Sequence, residues 1–233
     1  MSEKPKLKLD WCSHKAAKYA VEHWHYSKTI PKSKLVKFGV WEDDIFIGVI
    51  IYGSGACNNL LKPYGLKQDE GCELVRIALK KHINPVSKMI NISLNILKRN
   101  FPNLKIVISF ADRNENHHGG IYQASNWIYN GISPNGYFYK APNGKIYHPR
   151  NVSKDTWKPQ ISISPDICEK ILKIGKHRYL YPLNKKMRKQ IELLAKPYPK
   201  KINADAHQRD FSDQEEKGGA NPTHPLHLKV SNG

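Results

Sequence analysis

Apolar positions recur along this chain at two periods, and the change from one to the other marks out its elements. Behind Ser13, whose hydroxyl can cap a first turn, Ala16, Ala17, Tyr19, Ala20 and Trp24 fall at helical spacing and predict a helix over 14–24 that stops near His25, before Pro31. Two runs rich in β-branched and aromatic residues, 35–41 and 45–52, are separated by the polar Glu42-Asp43-Asp44 and read as a β-hairpin. Residues 53–71, with Gly, Asn, Lys and Pro63, read as a loop, and a loop of that length suggests binding or lid duty.

A strand over 72–79, a helix over 84–99 and a strand over 105–111 then form a βαβ unit. The helix buries the stripe Val86, Met89, Ile90, Leu94 and Leu97. Such crossovers are right-handed and lay the two strands parallel, so the loops 80–84 and 112–120 share one sheet edge, where open sheets bind ligands. Downstream the pattern predicts a helix over 120–129 ended by Asn130-Gly131, and a hairpin over 137–147 around Pro142-Asn143-Gly144. From Pro165 a basic helical segment carries Ile167, Ile171 and Leu172, then Met187, Ile191 and Leu194. The end of the chain is polar, rich in Gly, Pro and His, and aperiodic.

Charge changes this picture more than composition does. With 39% apolar residues the chain can bury a normal core, yet 38 Lys+Arg against 20 Asp+Glu leave a formal net charge of +18. Each Lys or Arg that neutralises a phosphate releases counterions, so the excess points to DNA or RNA first and to an anionic membrane surface second; solubility alone is the plainer explanation. No apolar run reaches membrane-spanning length, and the Lys-rich start has no apolar stretch behind it to serve as a secretion signal, so a cytoplasmic protein is expected. Cys12, Cys57, Cys72 and Cys168 form no C-x-x-C pair and read as reduced thiols.

The candidate chemistry gathers in a few places. At the helix opened by Asn84-Pro85, free amides, the positive dipole end, Ser87, and Lys80, Lys81 and Lys88 make a phosphate site plausible, against an ordinary capped helix with exposed lysines. Arg76 lies among apolar neighbours in its strand, on the face opposite Val75 and Ile77 by alternation; it needs a carboxylate partner such as Glu22 or Asp112, or faces an anionic ligand. Asp112 follows an apolar strand at a carboxyl-end crevice, where it suits a general base, a metal-binding oxygen or a turn cap. The loop that follows carries His117 and His118, read as hydrogen-bond donors before metal ligands. The segment Glu22-His23-Trp24-His25-Tyr26-Ser27-Lys28 packs acid, imidazole, phenol and aromatic faces for an extruded base, against plain alternation of surface and core. Tyr122 offers a phenolic proton or a core aromatic, and His148 with Arg150 a weak phosphate contact.

These residues resemble a known family. The strand Glu73-Leu74-Val75-Arg76-Ile77-Ala78-Leu79, the helix from Pro85, the strand ending in Phe110-Ala111-Asp112, and Gly120-Ile121-Tyr122-Gln123-Ala124-Ser125-Asn126-Trp127 are similar to the GNAT (acyl-CoA N-acyltransferase-like) core. More narrowly, His25-Tyr26-Ser27-Lys28, Asn84-Pro85-Val86-Ser87-Lys88 and Ser109-Phe110-Ala111-Asp112 with His118-Gly119-Gly120 resemble the phage Mom family, across roughly residues 10–151.

The resemblance implies a mixed α/β, GNAT-like fold of the α+β kind with a central twisted sheet flanked by helices. It divides the chain into a catalytic domain at 1–160, a basic helical extension at 161–196 and a flexible polar tail at 197–233. It implies a transferase that converts adenine N6 in DNA to a carbamoylmethyl form and so shields phage DNA from restriction in the host bacterial cytoplasm.

Arg76, Asp112, Tyr122 and Glu22 are the expected catalytic set; Ser87, Lys88, Lys81 and Asn84 bind the donor; Tyr26, Trp24, His148 and Arg150 bind substrate. His25, Tyr26 and Asp112 are a candidate metal set for iron or zinc. GNAT enzymes cradle coenzyme A with a Gly-rich R/Q-x-x-G-x-G/A loop, whereas Lys80-Lys81-His82-Ile83-Asn84-Pro85 has no glycine. The donor is thus acyl-CoA or another phosphate-bearing molecule, including an aminoacyl-tRNA. Double-stranded DNA is the expected partner, and monomer or dimer stays open. Two alternatives stand beside this: a non-catalytic DNA-binding regulator, without helix-turn-helix or zinc-finger spacing, and a metal-dependent nuclease using Asp112, Glu115 and His117, without an H-N-H signature.

Overall fold

In chain order the elements are β1 (Leu7–Trp11), α1 (His14–Trp24), β2 (Leu35–Glu42), β3 (Ile45–Gly53), β4 (Gly71–Leu79), α2 (Val86–Asn100), β5 (Ile106–Ala111), α3 (Gly120–Gln123), β6 (Ile128–Ile132), β7 (Gly136–Lys140), β8 (Ile146–Tyr147), β9 (Glu169–Lys173), β10 (His177–Pro182) and α4 (Lys185–Glu192). This computed structural model describes residues 3–55, 59–149, 152 and 163–200; Cys57, Arg150 and the polar tail beyond 200 lie outside the described residues. No described helix is long and apolar enough to cross a membrane.

The strands form a mixed seven-stranded sheet, β1-β2-β3-β4-β5-β10-β6, and a separate three-stranded sheet, β8-β7-β9. The expected central sheet flanked by helices is present. Asp43 and Asp44 both take left-handed φ, 46° and 63°, which suits the two-residue turn between β2 and β3 to the strand twist. β4 and β5 pair in parallel only from Gly71↔Ile106 to Leu74↔Ser109. Beyond that point β4 stays with β3 and β5 stays with β10, so the parallel pair opens like a V at its carboxyl end.

Alternating strand residues bury two layers. On one face Met89, Ile90, Leu94 and Leu97 of α2 pack with Phe38, Tyr52, Leu74 and Val107. On the other, Ala17, Ala20 and Val21 of α1 pack on Val49, Ile51 and Ala78, and Met187 and Ile191 of α4 pack with Ile106, Ile108 and Leu180. Each large side chain buried in this way contributes about 1.5–3 kcal/mol over leaving it exposed.

Four expectations are corrected. The helix expected over 120–129 ends at Gln123, because Asn126 turns left-handed at φ 59°, and β6 begins at Ile128. The basic segment from Pro165 is a short 3-10 turn followed by β9 and β10, with only α4 helical. Alternation wins there because Tyr179 and Leu180 are buried on opposite faces, and because Gly175 passes so close to Ser133 that an added Cβ would lie 1.8 Å from its carbonyl oxygen. β10 is hydrogen-bonded to both β5 and β6, so this segment lies within the main sheet rather than beside it. Arg76 is the third case. The register passes from Ile51↔Arg76 to Tyr52↔Leu74, and the extra residue, Val75, makes a bulge that turns Arg76 to the α1 face along with Val75. Finally, Pro85 rather than Asn84 occupies the cap position of α2.

Candidate active site

The V between β4 and β5 collects charged side chains from four parts of the chain. After α1, the Lys28 backbone (φ 49°) brings the chain round, and the imidazole of His25 is 8% exposed. Its Nδ1 accepts from the Ser27 backbone N–H at 3.1 Å. A backbone amide can only donate, so in the neutral ring the proton sits on Nε2. The ring does stay neutral: burial, then the charges of Arg76, His117, Lys176 and Lys28, push its pKa down to about 4. His25 is therefore a hydrogen-bond donor near neutrality, not a base. Tyr26 stacks on it with ring centres 4.3 Å apart, meets His117 edge-on at 5.7 Å, and remains 47% exposed.

Arg76, turned by its bulge, donates from Nε to Thr29 O at 3.2 Å and from Nη1 to Val75 O at 2.7 Å. The carboxylates expected to pair with it are engaged elsewhere, Glu22 with Lys18 and Asp112 with Lys176. Asp112 caps the turn Arg113–Glu115, with Oδ1 accepting from Asn114 N and Nδ2, and its Oδ2 lies 2.5 Å from Lys176 Nζ. Burial alone would raise its pKa, but the Lys176 ammonium and the Asn114 donors outweigh it and hold the carboxyl below its usual range. Tyr26 feels Lys176, Asp112 and Arg76 together.

Tyr122 lies beneath this cluster. It is buried beside Trp127 and Tyr179, and its hydroxyl is hydrogen-bonded to Ser109 Oγ at 2.8 Å. Burial pushes the phenol up to about 12 against the lowering effect of Ser109, and Tyr26 adds to the rise. Tyr26 is near enough to Asp112 and Arg76 to feel their charges, and Tyr122 feels Tyr26 while itself belonging to the buried core.

Other candidates fall elsewhere. Glu22 is exposed on α1 and pairs with Lys18 at 3.7 Å. Trp24 is partly exposed and packs against Tyr19 and Phe46, with the Lys80 ammonium 5.8 Å from its ring. His148 meets Phe138 on the small sheet at 6.1 Å. Lys81 and Lys88 are exposed at the start of α2 beside the half-buried Ser87, and Lys88 Nζ reaches Asn84 Oδ1 at 3.4 Å.

Two implied groups can be compared with these contacts. A coenzyme A pyrophosphate needs free amides in the β4–α2 loop. Here the Glu42 carboxylate, buried at the end of β2, accepts from Ile83 N at 3.0 Å, from Asn84 N at 2.6 Å and from Asn84 Nδ2 at 2.9 Å. Burial would raise its pKa, yet the Asn84 and Ile83 donors lower it, so it stays ionised. The loop holds an anion of its own and does not fit a pyrophosphate. The metal set His25, Tyr26 and Asp112 also does not fit as arranged: His25 Nδ1 and both Asp112 oxygens have hydrogen-bond partners, and the surroundings are cationic. Among the described residues no group of three or more His, Cys, Asp or Glu is arranged to hold a metal, which also leaves Asp112, Glu115 and His117 without a nuclease-like cluster.

Sequence reasoning missed Lys176 and Lys173. Lys176 is fixed by Ser133, whose N–H donates to Lys176 O at 2.8 Å and whose Oγ accepts from Lys176 N at 2.9 Å. A glycine amid Lys173-Ile174-Gly175-Lys176, where a helix was expected, is the signal that would have revealed a turn.

Fold and site together define a mixed α/β protein with a cluster of charged side chains where the parallel pair β4–β5 opens. The Mom protein family model matches residues 6–200, and the chain belongs to that family. It is 27% identical over 204 residues to the methylcarbamoylase mom of Escherichia phage Mu, covering 83% of this chain and 84% of that one. Among solved structures, it is similar to an aminoglycoside acetyltransferase in complex with coenzyme A and kanamycin (TM-score 0.47, 6% identity, 80% of this chain and 99% of that one). It is also similar to an N-acetyltransferase from Staphylococcus aureus Mu50 (TM-score 0.41, 13% identity, 76% and 98%).

Proposed function

We propose that this chain is a phage-type DNA-modifying transferase that converts the N6 amino group of adenine in DNA to a carbamoylmethyl form, protecting that DNA from restriction. Membership of the Mom family supports the reaction class, and the net charge of +18 supports a polyanionic substrate. The observation that carries the reading is the Lys176–Asp112 ion pair at the carboxyl end of β5, near enough to the half-exposed Tyr26 for its charges to act there.

In this reading an adenine leaves the base stack and lies against Tyr26, while His25 donates from Nε2 to an acceptor of the base or donor. N6 is a poor nucleophile because its lone pair is delocalised into the ring. It attacks the donor carbon, a C–N bond forms, the bond to the leaving group breaks, and the N6 proton passes to the Asp112 carboxylate. Lys176 keeps Asp112 ionised to accept it. Arg76 neutralises the negative charge that develops on the leaving group, Tyr122, held protonated by burial, gives it a proton, and the proton on Asp112 then passes back to the Tyr122 oxygen, restoring both groups. The anionic part of the donor rests on Arg76 and Lys176, since the β4–α2 amides are taken by Glu42.

The test is expression in bacterial cells followed by mass spectrometry of nucleosides from their DNA. Carbamoylmethyl-deoxyadenosine is expected, and it should be absent with Asp112→Ala. Unmodified deoxyadenosine alongside abundant folded protein overturns the proposal.

A further inference from the structure

On an exposed helix face, side chains three and four residues apart are neighbours, so opposite charges are favoured there and like charges repel. The outer face of α4 departs from that pattern. Its apolar stripe, Met187 and Ile191, is buried against Ile106, Ile108 and Leu180 of the sheet. Its outward side carries Lys185, Lys186 and Lys189, all exposed, with Lys189 one turn from Lys185 and three residues from Lys186. The three ammoniums thus form one triangle. No acid lies in the first turn, and the single carboxylate of the helix, Glu192, is engaged by Arg188 at 3.5 Å. The positive end of the helix dipole, beside Lys185 and Lys186, adds to the repulsion. Lys62 widens the patch: it is exposed in the turn Lys62–Tyr64, which α4 holds as Gln190 Nε2 donates to Tyr64 O at 2.9 Å.

Helices α1 and α4 lie on the same face of the sheet, α1 over β3 and β4 and α4 over β5 and β10, so they stand on either side of the line along which the β4–β5 pair opens. β5 passes under α4 at Ile106 and Ile108 and leads directly to Asp112, about 13–20 Å further along at 3.3 Å per residue. One turn of duplex DNA spans about 34 Å. A duplex with one nucleotide at Asp112 therefore has phosphates within reach of α4.

We propose that the outward face of α4, with Lys185, Lys186 and Lys189 and with Lys62 beside it, grips the phosphate backbone of the duplex DNA that flanks the target adenine. The helix itself gains nothing from three unpaired ammoniums in one place, whereas a row of phosphates turns their repulsion into attraction and releases counterions. A membrane surface would need an apolar stripe to enter its headgroups, and that of α4 is spent on the core. Single-stranded nucleic acid would need rings interleaved with the cations, and the exposed residues of α4 include none. Point charges on a rigid helix suit a duplex backbone, whose phosphates position a protein without specifying sequence. The inference rests on the functional reading for the identity of the DNA and adds the surface that holds it.

The test is the affinity of the purified full chain for a fluorescent duplex oligonucleotide over a salt series. The double variant Lys185→Gln with Lys189→Gln is expected to lower the slope of log affinity against log salt by about 2, and Lys62→Gln, on a separate element, by about 1, at about 0.9 per lost phosphate contact. Lys98→Gln with Arg99→Gln removes the same charge as the α4 pair from the exposed last turn of α2, on the opposite face of the sheet, and serves as the control with slope unchanged. Melting temperature separates binding from folding. For the α4 pair it is expected to hold or to rise, because the substitutions relieve repulsion, so weaker binding there is not loss of structure.

The surface is overturned if the α4 pair keeps the wild-type slope, if the α2 pair lowers it as much, or if the α4 pair melts well below the wild type. It is equally overturned if the wild type prefers phosphatidylserine vesicles or single-stranded RNA to the duplex. An unchanged slope in the α4 pair of a protein that does modify adenine removes the surface alone. A lowered slope in a chain that never modifies adenine removes the functional reading alone.

Discussion

The loops leaving the carboxyl ends of the two parallel strands, β4 and β5, stand side by side in the sheet and have opposite electrostatic fates. The loop after β4 leads into α2 and would be the natural anion site, but Glu42 from the end of β2 has filled it: two amides and the Asn84 side chain are bonded to a buried carboxylate. The loop after β5 begins with a carboxylate, yet Lys176 is ion-paired with it and Lys173 is near enough to feel it. The location of a ligand site in such a sheet is thus not set by the backbone alone. One acidic side chain closes one crevice, and one lysine from a distant turn charges the other.

The largest expected effect sharpens this contrast by separating activity from stability. Arg76→Ala should lower adenine modification by about 10²–10³-fold with little change in melting temperature, since it removes charge stabilisation from the cleft. Glu42→Ala should do the reverse. It leaves the Ile83 and Asn84 amides without an acceptor and is expected to cost about 2–4 kcal/mol of stability in chemical denaturation, while each folded molecule keeps its activity. Inorganic phosphate should then restore part of the stability of Glu42→Ala and none of the wild type's. Phosphate stabilising both equally would show that the loop is open after all.

Next in size is the Lys176–Asp112 pair. Lys176→Gln should raise the pH at which activity falls on the acid side, because an opposite charge at hydrogen-bond distance lowers a carboxyl pKa and its removal lets the pKa rise. Lys176→Arg should return the profile toward that of the wild type. A drop in rate with an unshifted profile would mean that Lys176 only supports the fold.

His25 gives a smaller effect, on stability. Its pKa in the folded chain, about 4, is depressed below the ordinary value of about 6.5. The stabilisation from the neutral ring is therefore fully present above the unfolded value and is lost as pH falls toward 4. The wild-type melting temperature should fall between pH 6.5 and pH 4 more steeply than that of His25→Gln. Parallel curves would place a protonated imidazole in the folded cleft.

These tests also show which parts of the molecule could be read from the sequence. The βαβ unit was legible because its apolar residues repeat at clean periods over an uninterrupted stretch, and Asp112 was legible because it directly follows one. Arg76 was found, but its face was not: a bulge adds one residue to the count, and alternation carries no trace of it. Lys176 was hidden because Ile167, Ile171 and Leu172 also fit a helical spacing; Gly175 hinted at a turn, but its close contact with the Ser133 carbonyl, which helps decide for strands, is a long-range packing fact. Glu42 looked like a turn residue. Its role depends on the N–H groups of Ile83 and Asn84, some 40 positions away, and no local pattern announces such a partner.

The smallest expected effect concerns Glu22, which lies in the same acidic and aromatic segment as Tyr26 but on the outside of α1. An exposed pair with Lys18 one helical turn away is worth about 0.3–0.5 kcal/mol, so Glu22→Gln should change stability by no more than that. Modification should be unaffected, because the cluster around Tyr26 draws its charges from Arg76, Asp112, Glu115 and Lys176. The segment from Glu22 to Lys28 is divided by helix geometry. The chain leaves α1 at His25, which is buried with Tyr26 stacked on it, while Glu22 faces solvent and Trp24 packs on Phe46. Loss of modification in Glu22→Gln, with the protein folded and DNA still bound, would extend the site along α1 and add a further carboxylate to Asp112 and Glu115, weakening the contrast between a cation-rich crevice and a neighbouring one closed by its own acid.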